Sequence, residues 1–429
     1  MKNRILALAL ALCLLLGGCA PLTLEVEDLM RPPQLSESQR QIYDALLAAL
    51  GTSSANLSLR YPRGGDHRSA FTFRDLDGDG TEEAMVFYSL AEAEEELYIN
   101  VMEQGPEGWY SVYEMPGAGT GVETVEFSSV TREDGCDILI GWTPDQNNVG
   151  QLSVLRFEQN RLESLYQSRY TKYTTADMNA DGLQELLLVT MSTAGAHPFA
   201  SLITLRDQRL ETVSNLPMNV NMTSFSQLWA GWVSDSAQGL VVDGYEGHTF
   251  TTELLVVKND LFSLPYPDKA DFYTRANRRE GSICSADVDG DHIVDFPMQE
   301  PVPGDSSLYY TVYSHLDENM ELQPTAAALV NQSQGYVFYL PEGWREGVTV
   351  VQTKSGETVF SAYDPATETV GGELMRIRVY SEKDYQDKFD TKRYKQIGQR
   401  GNFRYYASLT GSGELAISLG EAISLFEMI

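Results

Sequence analysis

The apolar residues of this chain come mostly in short runs. Between about 60 and 325 they are six to eight residues long and rich in Val, Ile, Leu, Tyr and Phe: EAMVFYSL, LYINVME, WYSVYEM, DILIGW, LSVLRF, ELLLVTM, ASLITL, LVVDGY, TELLVVK and LYYTVYS. Gly, Asn, Asp and Pro separate them, which predicts many antiparallel strands joined by tight turns. Upstream the period changes. Ser36 with Gln39 three residues later forms a capping box, Ile42, Leu46, Leu47 and Leu50 follow at helical spacing, and Gly51 closes the segment. This predicts a helix over 36–51 that plugs or caps the strands downstream of it. From 329 the texture shifts again. GYVFYLPEGW reads as a strand and turn, ELMRIRVYSEKDYQDKF as a strand passing into a helix, and GELAISLGEAISLFEMI as a closing strand and helix. These predict a separate α+β domain over 329–429.

Within 52–328 one motif recurs. Asp75-x-Asp77-x-Asp79-Gly80-x-x-Glu83 returns as Asp177-x-Asn179-x-Asp181-Gly182-x-x-Glu185 and as Asp287-x-Asp289-x-Asp291-His292-x-x-Asp295. Weaker copies keep Asp134-Gly135, and Asp235 with Gly239, ahead of a strand. Anchored on the turn glycine or its equivalent, the copies fall at 80, 135, 182, 239 and 292, in steps of 55, 47, 57 and 53. Four short strands fill a unit of that size, as in a propeller blade, so the chain is predicted to be mainly β, with five or more blades.

A length of 429 residues suits two or three domains. The 61 acids against 31 bases give a formal charge of −30, which repels DNA, RNA and anionic headgroups and excludes nucleic-acid binding. Lys2 and Arg4 precede an apolar stretch from Ile5 to Leu16, too short to span a bilayer, which reads as a secretory signal over 1–18. The sequence Leu16-Gly17-Gly18-Cys19 resembles the bacterial lipobox. That resemblance implies cleavage before Cys19, a diacylglycerol on its sulfur, and a lipid anchor at the outer face of the bacterial cytoplasmic membrane or cell envelope. An ordinary cleaved signal with an incidental cysteine is the alternative, and Pro21 makes a cut behind Ala20 awkward. Residues 19–35, with RPPQ and little periodicity, read as the tether. Cys136 and Cys284 do not make a disulfide framework and are expected as buried free thiols.

Oxygen ligands at positions one, three and five of such a loop converge on one point. The carbonyl of position seven and a carboxylate at position nine complete a set suited to Ca²⁺. An EF-hand would need Glu at position twelve and flanking helices. Position twelve is Val86, Leu188 or Met298, and strands follow. The nine-residue form before a strand resembles the FG-GAP or VCBS-type repeat of integrin-α-like propellers. The resemblance implies a β-propeller with Ca²⁺ in its loops. Asp75, Asp77, Asp79 and Glu83 would then be ligands with the carbonyl of Thr81. Asp177, Asn179, Asp181 and Glu185 would act with Leu183, and Asp287, Asp289, Asp291 and Asp295 with Ile293. His292 in place of the turn glycine must accept a positive φ. The tail's YVFYLPEGW resembles the strand that begins PsbP/Mog1-like lipoprotein domains.

No zinc-protease, nucleophile-elbow or P-loop motif is present, and the five histidines are scattered singly. Trp109, Trp142, Trp229 and Trp232 suit blade core better than sugar stacking. The expected function is therefore non-enzymatic binding of a protein or glycan at the cell surface. A polysaccharide-acting enzyme and an accessory subunit of an envelope assembly are the alternatives. Convergent carboxylates with exposed aromatics in a central funnel would favour the enzyme.

Overall fold

A computed structural model describes residues 35–192, 197–265, 278–279, 281–381 and 393–429. The expected signal, Cys19 and the tether up to residue 34 lie outside the described residues. Helix α1 (Glu37–Leu50) is closed at both ends. Ser36 Oγ accepts from the Gln39 amide at 3.2 Å, the Gln39 side chain accepts from the Ser36 amide at 3.0 Å, and Gly51 takes φ +61°. Among the described residues no helix is long and apolar enough to cross a membrane.

The body is mainly β, built of consecutive antiparallel meanders, five-stranded in the first unit and four-stranded in the next three. Unit one holds β1 (Leu57–Leu59) and β2 (Phe71–Arg74), both paired with β3 (Glu83–Leu90), then β4 (Ala93–Gly105) and β5 (Gly108–Pro116). Unit two is β6 (Val122–Ser128), β7 (Asp137–Trp142), β8 (Gly150–Glu158) and β9 (Arg161–Tyr170). Unit three is β10 (Lys172–Ala176), β11 (Glu185–Thr190), β12 (Phe199–Arg206) and β13 (Arg209–Pro217). Unit four is β14 (Ser224–Ser234), β15 (Ala237–Glu246), β16 (Thr249–Lys258) and β17 (Leu261–Ser263). Unit five is β18 (Phe296–Val302), β19 (Asp305–Leu316), β20 (Leu322–Asn331) and β21 (Tyr336–Tyr339), and one parallel pair, Ser234 with Leu316, joins it to unit four.

The second strands read as near-continuous apolar runs because both of their faces are buried. In β3, Ala84, Val86 and Tyr88 pack with Ile42 and Leu46 of α1, while Met85 and Phe87 face Ile138, Ile140 and Trp142 of unit two. Leu139 and Val154 meet Leu186 and Leu188 of unit three, and Leu187 and Leu202 meet Val241 and Leu254 of unit four. The same cluster runs on to Phe296 and Leu316 of unit five. The fourth strands, such as β9 and β13, are largely exposed. Their hairpins repeat one device: Gln159–Asn160, Asp207–Gln208 and Asn259–Asp260 all hold two successive positive φ angles between 46° and 64°, the signature of a type I′ turn.

The remaining sheet has order β22–β23–β24–β26–β25, from β22 (Val348–Gln352), β23 (Thr358–Asp364), β24 (Thr369–Ser381), β25 (Lys395–Arg400) and β26 (Phe403–Leu409). Its Phe360 and Ile377, with Trp344 of the short helix α2 (Trp344–Gly347), cover Tyr310, Leu329 and Phe338 of unit five. After α3 (Leu419–Ser424), strand β27 (Phe426–Met428) returns to pair with β21.

Several expectations change. The boundary at 328/329 falls inside β20, whose ladder continues through β21, so the break in the sheet comes after Tyr339. The described part of 329–429 is a sheet with helices of only four and six residues, and the helix expected after Ser381 falls at 382–392, outside the described residues. Gly239 is not a turn glycine: it sits within β15 opposite Val256, while Asp235 lies in the tight β14–β15 turn. Cys136 is a buried free thiol, whereas Cys284 is only half-buried.

Leu46 is fully buried between α1 and unit one. Leu46→Ala is expected to cost about 2–5 kcal/mol in chemical denaturation. An unchanged midpoint would show that α1 does not brace the first sheet.

Candidate functional site

The first two full copies of the Asp-rich motif join β2 to β3 and β10 to β11, and the third, closed by the isolated Ala286–Asp295 bridge, leads into β18. The three loops share one hydrogen-bond frame. In the first, Asp75 accepts from the amides of Gly78 (2.7 Å) and Gly80 (3.0 Å), Asp77 from Asp79 (3.2 Å), and Asp79 from Thr81 (2.7 Å). Glu83 reaches back from the start of β3 to accept from the Leu76 amide at 2.7 Å. The second loop repeats this, with Asp177 accepting from Ala180 and Gly182, Asn179 from Asp181, Asp181 from Leu183, and Glu185 from Met178. In the third, Asp287 accepts from Gly290 and His292, Asp289 from Asp291, Asp291 from Ile293, and Asp295 from Val288. The frame needs left-handed backbone at position six. Gly80 and Gly182 have φ near +90°, and His292 takes +72° despite its side chain.

One carboxylate oxygen of each of Asp75, Asp77 and Glu83 lies within 4.8 Å of the others, and the same holds for Asp287, Asp289 and Asp295. These two sets could hold a hard cation. The second loop differs. Asn179 turns its amide nitrogen toward Asp181 (3.2 Å) and Glu185 (3.2 Å), so the atom it offers there is a donor and not the expected oxygen ligand. Thr81, Leu183 and Ile293 take part in the frame through their amides.

The position-nine acids are almost wholly buried, with Glu83 at 2%, Glu185 at 3% and Asp295 at 0% exposure. Burial pushes the Glu83 carboxyl up to about 7 against the hydrogen bond from the Leu76 amide, and Asp77, Asp79 and Asp75 add to the rise. Burial likewise raises Glu185 and Asp295. Two other buried acids are compensated by the chain itself. Asp137, which opens β7 behind the degraded loop of unit two, accepts from Thr131 and lies 3.6 Å from Arg156. Asp243 of unit four pairs with the buried Arg279 at 2.9 Å. Among the described residues no Lys or Arg pairs with Glu83, Glu185 or Asp295.

A groove of about 560 Å³ lies where β6, β10 and β14 meet, lined among others by Glu123, Glu126, Lys172, Tyr173 and Gln227. Burial raises the Glu126 carboxyl against a hydrogen bond from the Tyr173 phenol, and Asp66 adds to the rise. Tyr173 also meets Thr124 Oγ1 at 2.7 Å. Nothing in the sequence singled out Glu126, because its partner comes from the next unit. Of the tryptophans, Trp142 is core and bonds Ser153 at 2.9 Å, Trp109 and Trp229 pack at cluster edges, and Trp232 is 45% exposed. Sequence reasoning also missed His315, whose strand brings it against the third loop from more than twenty residues away.

No family model and no curated protein matches the chain. Solved structures align loosely. An exotype rhamnogalacturonan lyase, YesX, matches 72% of this chain and 62% of its own at 11% identity and a TM-score of 0.28. A protein from Lactobacillus plantarum matches 72% of this chain and 84% of its own at 9% identity and a TM-score of 0.29. A hypothetical selenium-binding protein from Sulfolobus tokodaii matches 47% and 54% at 8% identity and a TM-score of 0.29. The chain thus spans less than two thirds of the lyase, and likeness at these scores carries no argument about fold or activity.

In the cation-free protein, folded Glu83 holds a proton that the unfolded chain has released between pH 4.5 and about 7. Stability is therefore expected to fall as pH rises through that window. Melting in chelator should show a shallower fall for Glu83→Gln, and an identical slope would remove Glu83 as a cause.

Proposed function

We propose that this chain is a non-enzymatic binding protein, displayed at the cell surface through a lipid on Cys19, whose sheets form a propeller-like array of five blades braced by Ca²⁺. One observation carries the metal reading. Where the Asp-rich frame is intact, a buried carboxylate stands at its base with no protein cation. Where it has decayed in unit two, the guanidinium of Arg156 stands beside Asp137. A divalent ion in the intact loops does the same electrostatic work with oxygen ligands. The end faces of the array are taken by α1 and by the C-terminal sheet, which supports an open arc of blades and not a ring closed by blade five upon blade one.

The groove between inner strands is the recognition surface of this reading. Its acids, lysine, hydroxyls and amide suit a polar ligand, a glycan or a peptide, and the chain's charge turns away anionic polymers. The rival reading, an enzyme acting on polysaccharide, draws on the raised carboxyl of Glu126 beside Tyr173. Binding is preferred because Tyr173 is already engaged with Glu126 and Thr124, and Tyr170 beneath it is core. Neither tyrosine is presented as a stacking platform.

Calcium is expected to raise the melting temperature, each occupied site adding about 2.7 kcal/mol at a hundredfold excess over its Kd. Asp77→Ala with Asp79→Ala should remove part of that gain, and a calorimetric scan without any calcium shift would end the metal reading. For the groove, envelope glycans and peptides are titrated against wild type and Glu126→Gln by calorimetry. Weakened binding without turnover supports recognition, whereas depolymerisation abolished in Glu126→Gln replaces it with the enzyme.

A further inference from the structure

The third loop differs from the other two by an imidazole. His315, near the end of β19, places Nδ1 3.4 Å from Asp291 Oδ2. Atoms of Asp289, Asp291 and His315 all lie within 4.8 Å of one another. Nδ1 is buried and has no hydrogen-bond partner among the described residues, although the carboxylates lie beside it. The His315 side chain is 24% exposed, but this nitrogen is turned inward to the carboxylates without a hydrogen bond, and a shared cation would give all three groups a partner. The spacing fits as well. Ligands about 2.0–2.1 Å from a tetrahedral metal stand about 3.4 Å apart. His292, the loop's other histidine, is 90% exposed and 4.0 Å from Asp287, so it is not part of the group.

We propose that Asp289, Asp291 and His315 form a second metal seat at the mouth of the third loop, selective for a first-row transition ion of the Zn²⁺ class over Ca²⁺. The deeper set, Asp287, Asp289 and Asp295, is all oxygen like the first loop, and Asp289 belongs to both. Imidazole with carboxylates suits Zn²⁺ and its neighbours, whereas Ca²⁺ takes oxygen alone. Among the described residues no other converging group of this kind contains a histidine. The seat rests on the reading of these loops as cation sites, but not on calcium occupying the first two. It also gives the loop a ligand from β19, the second strand of unit five: β19 pairs with both β18 and β20, so the ion would tie the loop to the middle of the sheet.

The test uses the full chain stripped with chelator and titrated with Co²⁺, a spectroscopic stand-in for Zn²⁺, in about 1 mM Ca²⁺, the range of extracellular modules. One Co²⁺ per chain with a visible ligand-field band, displaced by Zn²⁺, is expected. His315→Gln and, separately, Asp291→Asn should each weaken Co²⁺ at least about tenfold. The Asp77→Ala, Asp79→Ala protein should bind Co²⁺ unchanged. The calcium shift in melting temperature is read on the same samples, so its absence beside intact Co²⁺ binding would count against calcium in the loops and not against this seat. Melting in chelator checks the fold of His315→Gln, and should that variant be unstable, Asp291→Asn at a part-exposed position decides the matter. Equal Co²⁺ affinity in wild type and the folded variant, or no Co²⁺ binding in about 1 mM Ca²⁺, would overturn the proposal.

Discussion

The inner strands of the repeated units have to bury two faces. A strand such as β3 carries Ala84, Val86 and Tyr88 on one side and Met85 and Phe87 on the other, and none of them is exposed. A single four-stranded meander cannot cover itself, so each unit is stable only against the next. The array then has two ends to cover. The stripe of α1 takes the first, and the aromatic cluster around Trp344 and Phe360 takes the last. The turns obey the same constraint. The strand after each full Asp-rich loop opens in the core, so the loop must begin it at a fixed register. Glu83, Glu185 and Asp295 do this by reaching back to an amide at the start of their loops.

That device carries an electrostatic cost. Holding register with a buried carboxylate leaves negative charge where water is scarce. The chain offsets it in three ways: a guanidinium at Asp137 and at Asp243, an asparagine amide in the second loop, and ligand sets open to an external cation in the first and third. The fourth unit dispenses with the frame, because its tight β14–β15 turn sets the register by itself.

Much of this was legible in the sequence, and what was missed shares a cause. The alternating runs gave the strands, the capping box gave α1, and the Asp-rich loops marked the strand starts in three units. Local signals fix local structure. The fourth copy misled because Gly239 stands near the right distance from its neighbours by coincidence. A second repeat lies at the outer hairpins: EQNRLESL, RDQRLETV and KNDLFSL carry the type I′ turns of units two to four. Glu126 with Tyr173, Arg279 with Asp243, and His315 with Asp291 were not legible. Each pair joins residues from different strands or units, and nothing in a single sequence records which strands become neighbours.

The return of β27 to β21 has a consequence for the order of assembly. Residues 340–425 separate these partners in the chain, and they build a whole further sheet. The first four units can pack in sequence as they leave the ribosome. The outer edge of the fifth cannot be paired until β27 has been made, so for that interval it is an open strand edge, able to recruit the wrong partner. Pairing with β27 ends the exposure and makes that strand, which follows the whole C-terminal sheet, the latch on the array. A chain whose early units can pack as they emerge is thus sealed by a strand that comes after the C-terminal sheet.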